Sequence, residues 1–190
     1  NRIPRYRCGL CIIKARTLVS MDYTTFPKAL AVPGAAAMIE TFRAIGYSLE
    51  TAVADIIDNS ISAQAKNVYI NRVWKGGESI ITIMDDGCGM SNEEIIQAMR
   101  PGAQNPLEER SLTDLGRFGL GLKTASFSQC RNLTVMSKQD GGAVSYWTWS
   151  LDYVAQSDKW ELIKWAPDEY LNALDDVARG TIVIWSHLDR

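Results

Sequence analysis

Histidine is almost missing from this chain. Among 190 residues only His187 carries an imidazole, and cysteine is limited to Cys8, Cys11, Cys88 and Cys130. Cys8-x-x-Cys11 has the spacing of a metal or redox pair, but no second pair follows it. With one histidine available, that motif offers half of a tetrahedral shell. Cys88 and Cys130 read as reduced, small, buried residues of an intracellular protein. No apolar run approaches the roughly 20 residues that span a bilayer, so no membrane partner is expected. Net charge is only −2, which gives no general pull toward nucleic acid. Internal repeats and low-complexity tracts are absent as well. What remains, 46% apolar and 22% charged residues, is the composition of a globular domain long enough to bury one good core.

The small net charge hides an asymmetry. Arg2, Arg5, Arg7, Lys14 and Arg16 give residues 1–20 a charge of +5 without a single acid, leaving −7 for the rest. The apolar stretch from Leu10 to Ile13 is too short for a secretory signal, and serine is sparse for a transit peptide. Met21 follows directly. Residues 1–21 therefore read as an N-terminal extension, and 22–190 as the working domain, expected in the cytoplasm or, in a eukaryote, the nucleus.

Proline at its start and Gly46 as a stop mark a helix over Pro33–Ile45. Ser48 caps a second helix, in which Leu49, Ala52, Val53, Ile56 and Ile57 form an apolar stripe at helical spacing. Strands follow at Asn67–Val73 and Ser79–Met84, separated by Lys75-Gly76-Gly77-Glu78. Ser91 and Glu94 have capping-box spacing and open a helix that runs to about Met99. Pro101 to Leu115 is polar and aperiodic, as functional lids are. A helix over Phe118–Ser128 comes next. Strands at Leu133–Lys138 and Val144–Ser150 are joined by Asp140-Gly141-Gly142, and a last strand covers Thr181–Trp185. Helices early and hairpin-linked strands later predict an α+β two-layer sandwich.

Three segments carry chemistry. On the second helix Asp55 and Asn59 lie one turn apart on a shared flank, with Asp58 on the more exposed side. A carboxylate and an amide oxygen so placed can hold a hard cation and orient a water; a solvated helix face is the plain alternative. Next, an apolar strand delivers Asp85 to its end, just before Gly87-Cys88-Gly89. A buried carboxylate there can accept a hydrogen bond from an exocyclic amine, and the glycines let a flat ring approach the backbone. An ordinary turn, with Asp86 as a solvated acid, would share this pattern. Third, Gly116-Arg117-Phe118-Gly119-Leu120-Gly121-Leu122-Lys123 leads into a helix whose free amides could cradle phosphates, with Lys123 adding a compact charge. It lacks the closing triplet of a Walker A loop. Together the three segments point to a nucleotide site.

Taken in order, these residues resemble the GHKL superfamily, which includes gyrase, heat-shock 90-type chaperones, histidine kinases and MutL, with the MORC ATPases closer still. Asp55-Ile-Ile-Asp58-Asn59-Ser60 is similar to its N box, Asp85 to Gly89 to its D-x-G-x-G motif, and Gly116 to Gly121 to its G-x-x-G-x-G lid motif. Gly180-Thr181 resembles the fourth motif. The resemblance runs from about Pro33 to His187. It implies a Bergerat-type ATP-binding fold with a mixed, mostly antiparallel sheet and helices on one face. It further implies that Asn59 coordinates magnesium at the phosphates, and that Asp85, helped by Thr181, binds the adenine amine. Ala63, Gly87, Gly89 and Met90 would line the base pocket. Gly116, Gly119, Leu120, Gly121, Leu122 and Lys123 would supply the phosphate-gripping part of a lid spanning about 101–121.

Two departures bear on hydrolysis. Hydrolysing members carry glutamate where this chain has Asp55, one methylene shorter, which sets the carboxylate roughly 1.5 Å back. A displacement of that size costs on the order of a hundredfold in rate. Ser62 also stands where relatives often carry an acid. MutL-like and chaperone-like ATPases draw a catalytic cation from a following domain, which is not expected within the 190 residues here. The resemblance thus implies a magnesium-dependent ATPase, slow in isolation, whose lid closure on ATP or ADP exchange switches conformation or homodimerisation of a larger DNA-repair-like or chaperone-like protein. A non-hydrolysing nucleotide switch is the alternative, with a histidine-kinase catalytic domain behind it. The client, DNA or protein, is left open.

Overall fold

The computed structural model of the chain describes residues 22–102 and 121–189. Two compact units divide the chain, residues 1–32 and 33–190. In the first, Asp22 Oδ1 accepts hydrogen bonds from the amide and hydroxyl of Thr24. All regular helices and strands among the described residues belong to the second.

Helix α1 (Ala35–Arg43) has Gly34 at its N-cap, which offers no side chain. Asp158 makes up for this from far along the chain, its Oδ1 accepting from the Ala36 amide at 2.9 Å. Helix α2 (Leu49–Ser62) is capped by Ser48, whose hydroxyl accepts from the Thr51 amide. Its fully buried positions are Ala52, Ile56 and Ser60, one polar residue at the end of an i, i+4, i+8 line. Strands β1 (Val68–Val73) and β2 (Ile80–Asp85) follow, joined through a short 3-10 turn at Gly76–Glu78. Helix α3 (Asn92–Met99) opens with the expected capping box. The Ser91 hydroxyl accepts from the Glu94 amide, and Glu94 Oε2 accepts from the Ser91 amide at 2.7 Å.

After residues 103–120 come α4 (Gly121–Phe127), β3 (Cys130–Lys138), β4 (Ser145–Ser150), α5 (Leu151–Ser157) and β5 (Gly180–Leu188). The five strands are ordered β1-β2-β5-β3-β4, so the last strand made is the middle one. Every pairing among the described strands is antiparallel, where a mixed, mostly antiparallel sheet was expected; β2 and β3 run parallel, but β5 lies between them and pairs antiparallel with both. The α+β class and the helices on one face are as anticipated.

One face of the sheet presents Ile81, Ile83, Val183, Trp185, Leu133, Val135 and Trp149 to all five helices. Two indoles are anchored within this layer: Trp185 Nε1 donates to Ser126 Oγ at 2.8 Å, and Trp149 Nε1 to the Met99 carbonyl at 2.9 Å. Phe127 meets Trp149 edge-on at 6.4 Å between centroids. Truncating one of these rings would cost about 3–5 kcal/mol. On the opposite face Met136, Ile182 and Ile184 pack against Ala166 and Leu174. β3 and β5 are therefore buried on both sides.

Helix α5 is absent from the sequence-based expectation. It is seven residues long and starts at the residue after β4 ends, so no turn residue announces it. Cys130 is buried as expected, but Cys88 is exposed. Its neighbours Gly87 and Gly89 are the residues pressed inward, which turns the intervening side chain toward solvent.

Candidate functional site

Strand β2 runs out of apolar residues at Asp85, which is only 7% exposed. A carboxylate this deep needs donors, and two are in place. The Ser60 hydroxyl of α2 donates to Oδ2 at 2.9 Å, and the Gly87 amide donates to Oδ1 at 2.9 Å. Burial nevertheless pushes the Asp85 carboxyl above its ordinary range; those two bonds pull the other way, as does a weaker one from the Thr181 backbone, and the adjacent Asp86 charge reinforces the rise. Such a group is held as an acceptor close to the limit of what its surroundings tolerate.

The glycine loop after Asp85 is shaped by close approaches. A Cβ on Gly87 would stand 2.8 Å from Ala63 Cβ and 2.9 Å from the Ala63 carbonyl oxygen. That carbonyl also accepts from the Cys88 amide at 3.0 Å, so Ala63, at the C-terminal cap of α2, is fastened to the loop. Gly89 sits at φ +70°, and a Cβ there would fall 1.9 Å from the Lys138 carbonyl oxygen. No side chain fits. Asp86 has a different task from its neighbour. It accepts from the amides of Lys66 and Asn67 and from Asn67 Nδ2, at 2.7, 2.9 and 2.8 Å, which lowers its carboxyl to about 2. It pins the turn from α2 into β1 rather than standing as a solvated acid.

Across the β2–β5 ladder Asp85 faces Thr181. Thr181 is buried and its Oγ1 lies 2.8 Å from Ser137 Oγ on β3. Met90, partly buried against the core, donates its amide to the same Ser137 oxygen at 2.8 Å. The structure therefore gathers Ala63, Asp85, Gly87, Gly89, Met90 and Thr181 around one end of β2. Sequence reasoning named these six and gave no role to Ser60 or Ser137. Ser60 was findable as a polar residue on the buried line of α2. Ser137 carries no such signal, because both faces of β3 are covered.

The second cluster lies at the start of α4. Gly121 is its first residue, and a Cβ there would stand 3.4 Å from Asp55 Oδ2. Asp55 is half-buried, while Asp58 and Asn59 are exposed. Leu122 packs against the core. Lys123 is 3% exposed and donates from Nζ to the Ala98 carbonyl of α3 at 2.8 Å; burial lowers its ammonium to about 8. Its charge thus meets a carbonyl near the C-terminus of α3. Gly116, Gly119 and Leu120 lie outside the described residues. An apolar cavity of about 760 Å³ beneath Trp147, Trp149 and Trp160 shares no residue with either cluster.

Fold and site together define an α+β domain with a buried acid and a close-packed glycine loop at one end of its second strand. Residues 47–181 match the family described as histidine kinase-, DNA gyrase B- and HSP90-like ATPases, and the chain belongs to that family. The ATPase morc-1 of Caenorhabditis elegans is 32% identical over 91 residues, 48% of this chain and 10% of that protein. DNA mismatch repair protein MutL of Clostridium beijerinckii is 34% identical over 96 residues, 50% of this chain and 14% of MutL. MutL of Paramagnetospirillum magneticum is 32% identical over 103 residues, 54% of this chain and 17% of that MutL. These alignments thus reach only a small part of the relatives' length. The MORC- and MutL-like resemblance of the motifs agrees with these matches. Among the described residues no helix is long and apolar enough to cross a membrane.

Proposed function

We propose that residues 22–190 bind ATP with magnesium and hydrolyse it slowly, with closure of a lid over about 101–121 switching the conformation or dimerisation of a larger protein. The observation that carries the reading is Asp85: a carboxylate buried at a strand end, already holding two donors and with lone pairs left over. An exocyclic amine, as on adenine, is the partner that such an acceptor selects. Thr181 stands beside it, and the close packing of Gly87 on Ala63 and of Gly89 on the Lys138 carbonyl fixes the loop that would border the base.

Asn59 and Asp55, one turn apart, would hold magnesium and orient the attacking water respectively. The donor set suits that ion. Among the described residues no group of three or more His, Cys, Asp or Glu side chains converges, so those side chains do not cage a metal by themselves. Magnesium keeps most of its waters and is completed by substrate phosphates, which one amide oxygen supports. When bound it would neutralise charge on the phosphates. Asp55 beside Gly121 sets its carboxylate next to the helix start proposed to face the γ-phosphate, where it would accept a proton from water. The alternative of a non-hydrolysing switch draws on the short reach of that same side chain. A kinase reading is disfavoured by His187, which lies at the other end of β5 from Thr181, about 20 Å away at strand spacing, and contacts Asn132.

Which client the parent protein acts on, DNA as the name MutL suggests or a protein, stays with the parent. The nucleotide assignment is tested by calorimetric titration of Asp85→Asn. An amide replaces an acceptor-only group, so affinity for ATP and ADP should fall together, by about tenfold or more. Wild-type affinity should also weaken as pH drops toward the raised carboxyl of Asp85. Unchanged ATP affinity in the variant would refute the site.

A further inference from the structure

We infer that Ser137 is a positioning residue that sets the hydrogen-bond polarity of the base pocket, holding Thr181 as an acceptor so that the pocket selects a purine bearing an exocyclic amine. This rests on the nucleotide reading above and adds to it a residue and a rule of discrimination.

The argument is a count of protons. Ser137 is fully buried, and its Oγ has three neighbours: the Met90 amide at 2.8 Å, the Gly180 carbonyl at 3.0 Å and Thr181 Oγ1 at 2.8 Å. A hydroxyl owns one proton and two acceptor lone pairs. The Met90 amide can only donate and the Gly180 carbonyl can only accept. Ser137 therefore gives its proton to Gly180 and receives one from Met90. Its remaining lone pair faces Thr181, which must supply the proton of that bond. Thr181 then has no proton left for the pocket and shows only lone pairs.

Asp85, opposite Thr181 in the ladder, is also acceptor-only and is already served by Ser60 and Gly87. The two groups together leave the pocket floor without a free donor. An amine, or a water that donates to both, satisfies such a floor. A carbonyl at the same position of the base would face acceptors alone, and unpaired polar groups in a buried site reject a ligand strongly. Ser137 also joins the two parts of the pocket mechanically. It ties the glycine loop, through Met90, to the start of β5, through Gly180. The fit is close, since the Gly89 backbone already abuts the Lys138 carbonyl next to it.

The test compares ATP with inosine triphosphate, which carries a carbonyl in place of the amine, by titration against wild type, Ser137→Ala, Thr181→Val and the double variant. Circular dichroism and thermal unfolding report whether each is folded. Wild type should prefer ATP. Ser137→Ala frees the Thr181 proton to turn toward a carbonyl, so the ATP-to-inosine-triphosphate ratio should fall by about tenfold, while the ATP-to-ADP ratio stays unchanged. In the Thr181→Val background the Ser137 change should leave the base ratio untouched, because the group it acts through is gone. If Ser137→Ala fails to fold, Ser137→Cys, whose thiol is a weak partner, carries the same comparison. A wild type that binds neither nucleotide overturns the nucleotide reading and the inference with it. A wild type that prefers ATP, with the same preference retained in Ser137→Ala or Ser137→Cys, overturns the inference alone.

Discussion

Lys123 holds an ammonium in the helix layer with 3% of its surface exposed and the Ala98 carbonyl as its recorded partner. Replacing it by methionine, similar in length and apolar, should make the domain more stable at neutral pH. The ammonium is lowered from 10.5 to about 8 by burial, and each unit corresponds to about 1.4 kcal/mol, so the buried charge costs on the order of 3 kcal/mol. Methionine removes that cost but leaves the Ala98 carbonyl without its donor, a loss of about 1–2 kcal/mol. A net gain of about 1–2 kcal/mol is expected at pH 7. The sign follows from linkage. Between about 8 and 10.5 the unfolded chain binds a proton at this site that the folded chain has released, so stability rises with pH through that window. The gain from Lys123→Met should therefore be full below pH 8 and turn into a loss of about 1–2 kcal/mol above pH 10.5, where the neutral amine still serves the Ala98 carbonyl at no charge cost. Urea unfolding of both proteins at pH 7 and pH 10.5 measures it, and the difference between them cancels other titrating groups. A variant less stable at pH 7, or one with the same difference at both pH values, refutes the reasoning. Wild type tolerating a costly lysine here is the sort of trade that functional positions make.

Gly89→Ala places a Cβ 1.9 Å from the Lys138 carbonyl at a positive φ; the loop must leave β3, and nucleotide binding should be lost while the far-UV circular dichroism of the sheet persists. For Asp55, steady-state phosphate release should be low in wild type, higher in Asp55→Glu and undetectable in Asp55→Ala, with ATP affinity varying by less than about threefold across the series. Brisk turnover in Asp55→Ala would assign the chemistry to another group.

Elements defined by a local physical rule were readable from sequence. The stripe of α2 and its Ser48 cap, the Ser91–Glu94 box of α3 and the delivery of Asp85 by β2 all depend on residues within one or two turns of each other. Features made by distant partners were not. Nothing near Gly34 announces that Asp158 caps α1, and α5 follows β4 without punctuation. Asp86 looks solvent-facing until Lys66 and Asn67 are folded against it. The residues gathered at the end of β2 were legible in their motifs, while the hydroxyls that hydrogen-bond to them were not. Serine at Ser60 or Ser137 is too common a residue to stand out before its neighbours are known. The burial of Lys123 was not legible either, since burial from the far side of a helix leaves no trace in spacing.

β5 is the last strand in the chain and the central one in the sheet. A ribosome making this domain releases β1–β2 and β3–β4 as two hairpins with no edge in common, and their facing edges stay open until residues 180–188 emerge. From the completion of β4 at Ser150 until β5 is made, the chain therefore carries two unpaired facing edges, the state most exposed to mispairing with other chains. Asp85 and Thr181 meet only in that final step, so the base site proposed for them is completed together with closure of the sheet. Any nascent or truncated form lacking β5 should be both blind to nucleotide and prone to aggregate.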